Sequence, residues 1–456
     1  MELTIIYSRS SNGCIDSENV LFQSDVDRKY FYKQTTYSPS MLLNAIIVGR
    51  KTWDSLPDNM RNCKFRHYYV VSTQDINAGA FTGNFRSCLE NIYKNKNLYW
   101  KIFVIGGAEI YNLALNSNIV TEVMETIYCD IIPDPQKSTI FTFDPKKSDY
   151  NLKSTNKIDN LIFNYYVKNT KPFETQYLQL VNEINTFGTK KIARNDTTLS
   201  ITDRSIKINL EDGFPLLTIK PVYWRGVVEE AMWMLRGSTN VKELRKTGVK
   251  IWDGNSTREF LDKQELNHLE EDDIGPGYGF QFRHSGAKYI DCKTDYTGLG
   301  VDQLQNCINL IKNNPNDRRI IIELWNPSQL KEMALPPCHK TYQFTVTNNK
   351  LSCHLYQRSW DIMLGWNTST AALFTHILAH YCGLAVGTLT HTICDIHIYN
   401  SHMTGEFDKL LTRLPYELPT LIIKNDIPLD ITEYTYDNFV LNNYKKHDKV
   451  DMKMVV

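Results

Sequence analysis

Cys338 lies in Leu-Pro-Pro-Cys-His-Lys, and the polar cluster Gln357-Arg358-Ser359 follows it. A thiol brought beside an arginine at a strand start loses its proton more readily, and the thiolate is the nucleophile. The plain alternative is a small buried residue. Arg318-Arg319, between Asn316-Asp317 and an apolar run, is a second basic pair. Alone it reads as a solvated turn; with Arg358 and Ser359 it would cage a dianion, because guanidinium forks match phosphate oxygens. Earlier in the chain stand Gly49-Arg50-Lys51-Thr52-Trp53 and Gly106-Gly107-Ala108-Glu109. Each follows an apolar run and opens a helical pattern, the geometry that presents backbone N–H groups to phosphate. A Gly-Gly pair by itself is as well explained by a tight turn. Finally, Glu229-Glu230 interrupts the apolar stretch 227–235; a carboxylate on such a face is costly unless used or paired.

The elements that would carry these residues fall into two patterns. In the first third, short apolar runs at 3–7, 45–48, 68–71 and 101–105 alternate with helical stretches at 25–36 and 88–96. That alternation predicts an α/β domain, a mostly parallel sheet with flanking helices. Residues 161–168 predict a closing strand, and the polar stretch that follows, with Pro172, predicts the boundary. The expected division is 1–169, a junction at 170–175, and 176–456. The second part predicts an α+β domain, with helices at 176–187, 227–235 and 301–312. Strands at 341–347 and 350–357 are joined by Asn348-Asn349, a hairpin turn signal, and 371–382 is the most apolar helix candidate.

Composition narrows the class. The chain has 456 residues, and its 51 Lys+Arg balance 51 Asp+Glu, so bulk charge favours neither nucleic acid nor an anionic membrane surface. The start shows no basic segment followed by an apolar stretch, and no apolar run is long enough to span a bilayer. The 10 cysteines contain no CxxC pair, which predicts free thiols in a reducing compartment. A soluble, cytoplasmic protein is expected.

Residues 176–456 resemble thymidylate synthase nearly throughout. The match is carried by Trp252-Asp253, Gly275-Pro276-Gly277-Tyr278-Gly279, Asp317-Arg318-Arg319-Ile320-Ile321, Met333–His339, Leu351–Ser359 and Asp395–Tyr399, in that order. The resemblance implies that Cys338 adds to C6 of deoxyuridylate, with Glu230 managing protons at O4 and His339 ordering water. It implies that Arg194, Arg358 and Ser359 hold the nucleotide phosphate, joined by Arg318 and Arg319 from the other subunit of a homodimer, and that Gln357 belongs to the same substrate-binding set. Asn367 would read uracil, since one amide offers both a donor and an acceptor, and His397 and Tyr399 would bind the sugar hydroxyl. Trp252, Asn255, Asp361 and the C-terminal Val456 fall on the methylenetetrahydrofolate side. Gly365-Trp366-Asn367 is two residues shorter than the family's Gly-x-Pro-Phe-Asn, and the loop at 194–198 lacks the family's glycines, which predicts a rearranged phosphate loop.

Residues 1–168 resemble dihydrofolate reductase, from Asn12-Gly13 through Asp27–Phe31 and Gly49–Trp53 to Ile105–Tyr111. The resemblance implies NADPH phosphates on Gly49, Arg50, Lys51 and Thr52 and on Gly106, Gly107, Ala108 and Glu109. It makes Asp27 the acid that holds the pterin, Thr126 the threonine that orients it, and Phe31 and Arg66 folate-binding residues. Tyr7 for a small Ala, Ile15 for a loop Gly, Leu21-Phe22 for Pro-Trp and Arg28 for an apolar residue depart from the pattern and predict an altered pterin pocket. Together the two resemblances imply a coherent cycle: the synthase releases dihydrofolate and the reductase restores tetrahydrofolate with NADPH. The alternatives left open are a synthase carrying a purely structural reductase-like domain, or a deoxyuridylate hydroxymethylase.

Overall fold

The computed structural model describes residues 2–16, 24–39, 41–74, 76, 80–117, 119–141, 143–144, 150–169, 171–193, 196–424, 427–450 and 452. The chain divides into two compact units, Met1–Pro172 with Thr412–Leu414, and Phe173–Leu411 with Pro415–Val456.

The first unit is built on strands β1 (Leu3–Ser10), β2 (Leu43–Gly49), β3 (Arg66–Val71), β4 (Phe81–Gly83), β5 (Tyr99–Val104), β6 (Val120–Tyr128), β7 (Tyr150–Ile158) and β8 (Leu161–Lys168). They form one sheet in the order β4-β3-β2-β5-β1-β6-β8-β7. The six strands from β4 to β6 run parallel, and β8 is antiparallel to both β6 and β7. The inner strands are covered on both faces, which is why β2 reads as a continuous apolar run buried from Asn44 to Gly49. The closing strand forms where expected, but its partner β7 has no sequence signal. All of β7 after Tyr150 is exposed, so no apolar alternation marks it.

Helices α1 (Asp25–Thr36), α2 (Arg50–Ser55), α3 (Phe85–Lys94) and α4 (Ala108–Asn116) pack on this sheet. Helix α1 starts at Ser24, whose hydroxyl accepts from the Asp27 amide, and it carries Asp25 and Asp27 in its first turn and Lys33 in its last. That charge order complements the helix dipole. The unit has separate apolar clusters on the two sheet faces. One contains Ile6, Val48, Trp53, Phe103 and Met124; the other contains Ile5, Tyr7, Ile47, Tyr111 and Val123. Adjacent residues of β1 therefore belong to opposite faces, as strand period demands.

The second unit opens with α5 (Phe173–Phe187), which begins inside the stretch read as a junction. Tertiary contacts explain the earlier start: Phe173 and Glu174 are buried, and the Glu174 carboxylate accepts the Thr218 and Ile219 amides at 2.8 and 3.0 Å. Then come β9 (Thr189–Ile192), β10 (Thr197–Asn209), α6 (Trp224–Leu235), α7 (Tyr278–His284), α8 (Gln303–Asn313), β11 (Ile321–Glu323), β12 (His339–Thr347), β13 (Lys350–Asp361), α9 (Asn367–Tyr381) and β14 (Ala385–Tyr399). The sheet order is β9-β10-β14-β13-β12-β11. It is mixed: β13 and β14 run parallel, and the other neighbours are antiparallel. Asn348 and Asn349 both have positive φ, 50° and 60°, the turn conformation that asparagine tolerates and a two-residue hairpin requires.

Among the described residues, no helix is long and apolar enough to cross a membrane, and none of the ten cysteines is disulfide-bonded.

Candidate active sites

In the second unit, Cys338 stands at the entry to β12. Its amide donates to the Tyr278 hydroxyl at 2.8 Å, and its carbonyl accepts from the Arg358 amide at 3.0 Å. The Arg358 guanidinium donates to the carbonyls of Pro337 and Pro336 at 2.9 and 2.8 Å and lies over the Trp325 ring. Arg358 thus ties down the loop that presents the thiol. Burial pushes the Cys338 thiol up, and the Arg358 charge acts against that shift.

His339, next in sequence, is buried. Its Nδ1 is 2.7 Å from the Tyr342 hydroxyl and its Nε2 contacts the Asn367 amide nitrogen. Burial pushes the imidazole down to about 4, so it is neutral at physiological pH. The same contact involves the shortened turn. Gly365 takes φ +77°, and a Cβ there would meet Leu217 Cδ1 at 2.7 Å. This tight glycine turn starts α9 at Asn367 and brings that residue against His339.

Glu230, from α6, is buried and receives one hydrogen bond, from Trp252 Nε1 at 2.9 Å. Burial outweighs that donor and pushes its carboxyl up to about 7. Its neighbour Glu229 ion-pairs with Arg225 at 3.5 Å, which separates the two acids by role. The Trp252 ring packs edge-on against Tyr278, and Tyr278 against His339, so Glu230, Trp252, Tyr278, Cys338, His339 and Asn367 form one cluster.

Gln357 is buried on β13, donating to the Ser359 carbonyl at 2.7 Å and meeting His391 Nε2 at 2.8 Å. Asp361, at the end of the strand, accepts the Met363 amide through Oδ1, while its Oδ2 is buried without a partner. His397 Nδ1 lies 3.0 Å from Asp395 Oδ1, and Tyr399 packs edge-on against the imidazole. Lys191 Nζ reaches Asp395 Oδ2 at 2.7 Å. Asn255 is buried in the short turn after Trp252. Arg318 and Arg319 are exposed, Arg319 clamped by Asp317 through two contacts of 3.0 and 2.9 Å. Among the described residues no hydrogen bond or ion pair joins this pair to the Cys338 cluster. Arg194 and Val456 lie outside the described residues. Sequence reading passed over Tyr278 as a partner of the nucleophile, and over Lys220, which is buried near Asp361 and pushed down to about 8 by burial. An unpaired lysine in an apolar context was the available signal for the latter.

In the first unit, Asp27 is 3% exposed, and its Oδ2 accepts two hydroxyls, Ser8 Oγ at 2.8 Å and Tyr128 Oη at 2.9 Å. Thr126, expected to orient this acid, is buried on the same strand face and paired in register with Ser8, but the hydroxyls that reach the carboxylate are the other two. Arg66 is buried; its guanidinium lies over the Phe31 ring and donates to Thr35 Oγ1 at 2.6 Å, with Nε left unpartnered.

Two of the four expected pocket changes, Tyr7 and Ile15, lie on the other face of the sheet. Tyr7 points to the opposite sheet face, where it packs against Tyr111 and Phe141 and donates to Glu125 at 2.7 Å. Arg28 is largely exposed on α1 and pairs with Asp25. Ile15 is buried in the Tyr7 cluster, and Leu21-Phe22 lie outside the described residues.

The glycine sites converge. Gly49, which caps α2, donates its amide to the Gly106 carbonyl at 2.7 Å, and Gly107 caps α4. A Cβ on Gly49 would meet Ile110 Cγ1 at 3.0 Å, and one on Gly106 would meet Thr52 at 3.2 Å. Two helix starts held this close and joined by a backbone hydrogen bond fit a pyrophosphate. Arg50 pairs with Gln74 and lies 3.8 Å from Asp54. Lys51 and Glu109 are exposed, and Thr52 and Ala108 are half-buried beside the glycines.

Comparison with known proteins follows the same division. The thymidylate synthase family model matches residues 175–456, and the dihydrofolate reductase model matches residues 2–167. The chain is 40% identical to the bifunctional dihydrofolate reductase-thymidylate synthase of Paramecium tetraurelia, covering 99% of this chain and 98% of that one. It is 40% identical to the enzyme of that name from Daucus carota, over 94% and 91% of the two chains. With the one from Acanthamoeba polyphaga mimivirus it shares 36% identity, over 94% of each. With both family models side by side and near-full-length relatives that carry both, this chain belongs to the bifunctional dihydrofolate reductase–thymidylate synthase family.

Proposed function

We propose that the chain methylates deoxyuridylate to thymidylate with methylenetetrahydrofolate and reduces the dihydrofolate released, using NADPH. The observation that carries this reading is the cluster of Cys338, Arg358, Tyr278, His339, Asn367 and Glu230, in which a thiol, a cation and a carboxyl titrating near neutrality meet.

Cys338 Sγ forms a bond to C6 of the pyrimidine, moving electron density to C5 and O4 so that C5 can accept a one-carbon unit. Glu230, able to hold or release a proton near pH 7, serves O4, and Asn367 selects uracil. His397, with Nδ1 turned to Asp395, has Nε2 for the sugar hydroxyl, beside Tyr399. Arg358, Ser359 and Arg194 take the phosphate, and Gln357 supports the nucleotide site from β13. Arg318 and Arg319, exposed and apart from their own chain's cluster, suit supply to a second copy's phosphate, so the working unit is a homodimer. Methylenetetrahydrofolate supplies both the carbon and the hydride. The unpartnered Asp361 Oδ2 fits a folate N–H, with Trp252, Asn255 and Val456 alongside.

In the reductase unit NADPH supplies hydride. Gly49, Arg50, Lys51, Thr52, Gly106, Gly107, Ala108 and Glu109 hold its phosphates and ribose. Asp27 holds the pterin, Phe31 stacks on the folate, and the free Nε of Arg66 faces its carboxylate. Ten unpaired thiols suit a reducing, cytoplasmic setting.

One absorbance experiment tests the cycle. Purified protein with deoxyuridylate and methylenetetrahydrofolate should produce dihydrofolate, and NADPH added afterwards should be oxidised. Dihydrofolate that accumulates untouched would remove the reductase half of the reading; no dihydrofolate would remove the synthase half.

A further inference from the structure

Asp27 sits in the first turn of α1, against β1 and β6. A carboxylate only 3% exposed is costly unless donors satisfy it. Two donors do, and both choose the same oxygen: Ser8 Oγ from β1 at 2.8 Å and Tyr128 Oη from β6 at 2.9 Å reach Oδ2. No donor among the described residues reaches Oδ1. The two donors come from neighbouring parallel strands whose register pairs Ser8 with Thr126 and Ser10 with Tyr128, so strand pairing sets the spacing of both hydroxyls. The Tyr128 ring is 3% exposed and packed in a cluster with Leu161 and Phe163, which prevents it from swinging away. The titratable groups facing Asp27 are Tyr128 from β6 and Tyr30 on its own helix. Burial, then the Asp27 charge, pushes the Tyr30 phenol up to about 12, so Tyr30 stays neutral across the physiological range.

We infer that Tyr128 and Ser8 are positioning residues for dihydrofolate reduction: they hold Oδ2 of Asp27 and so assign Oδ1 to the pterin. This rests on Asp27 as the pterin-holding acid. A carboxylate pinned by one donor could still rotate about its Cβ–Cγ bond. Two donors from different strands fix both its plane and which oxygen faces the ligand. Hydroxyl donors to a carboxylate are charge-assisted and short, and they also favour its charged form.

The test uses the full chain, with its synthase activity as an internal control. Asp27→Asn identifies the inflection in the pH profile of kcat/KM for dihydrofolate that belongs to this acid, because that substitution removes it. In Tyr128→Phe and Ser8→Ala, which lose one donor each, that inflection should move to higher pH. The KM for dihydrofolate should rise, with kcat/KM falling about tenfold, the scale of a hydrogen bond to a charged group; the KM for NADPH and the synthase rate should not change. A purely structural role would lower the melting temperature without moving the inflection. An inflection and KM unchanged in both variants, with Asp27→Asn inactive, would overturn the inference. If Asp27→Asn still reduces dihydrofolate, the reading of Asp27 itself fails, and that is a separate result. Should Tyr128→Phe not fold, Ser8→Ala carries the same decision.

Discussion

Each unit buries one of its proposed catalytic carboxyls, and the two are held differently. Glu230 has a single N–H donor from Trp252 and otherwise apolar helix surroundings; desolvation wins, and the group titrates near 7. Asp27 has two hydroxyls converging on one oxygen. Burial is nearly the same, 7% and 3% exposed, so depth does not distinguish them. Donor number and placement do. The single donor on Glu230 does not offset its desolvation, whereas the two donors on one oxygen of Asp27 fix how that carboxyl is oriented.

The comparison can be broken at several strengths. The largest effect should come from Cys338→Ser, which replaces the nucleophile; synthase turnover should fall by roughly three orders of magnitude or more, with dihydrofolate reduction untouched. Substantial residual methylation would remove Cys338 from its role. Asp27→Asn should lower dihydrofolate reduction by about 10²–10⁴-fold and leave the synthase intact, measured on one preparation. Glu230→Gln should lower synthase turnover by about 10²-fold and erase the pH dependence near 7.

The same group makes a stability prediction. The folded-state value of Glu230 lies above its ordinary one, so between the two the folded state binds the extra proton. Its contribution is therefore fully present below the unfolded value and is lost as pH rises through about 7. Thermal melts of Glu230→Gln against pH should lack that decline. The smallest effect tests the shortened turn. Gly365→Ala places a side chain at φ +77°, 2.7 Å from Leu217, and should cost about 1–2 kcal/mol in denaturant unfolding. It should also raise the KM for deoxyuridylate, because the turn delivers Asn367. An unchanged KM would separate the turn from base binding.

The two faces of β1 show where reading the chain stops. Tyr7 and Arg28 look in sequence like substitutions inside the pterin pocket. Tyr7 belongs to the opposite sheet face, paired with Glu125, and Arg28 is largely exposed and paired with Asp25. Alternation shows that Tyr7 and Ser8 face opposite ways, but only the packed sheet shows which face meets the ligand. β7 went unread because its exposed residues carry no apolar period, and α5 began early because Glu174 is paid for by Thr218, far along the chain.

By itself the sequence determined the two-part organisation, the order of the parallel strands' apolar runs, the glycine-capped helix starts and the Asn-Asn hairpin. These are properties of neighbouring residues, governed by local backbone preference and hydrophobic period. Only the tertiary structure decided that Ser8 and Tyr128 hold Asp27, that a single indole N–H meets Glu230, and that a tight glycine turn sets Asn367 against His339. Each of those depends on groups from separate elements meeting at hydrogen-bond distance, and that meeting is set by strand register and packing rather than by any residue's neighbours in the chain.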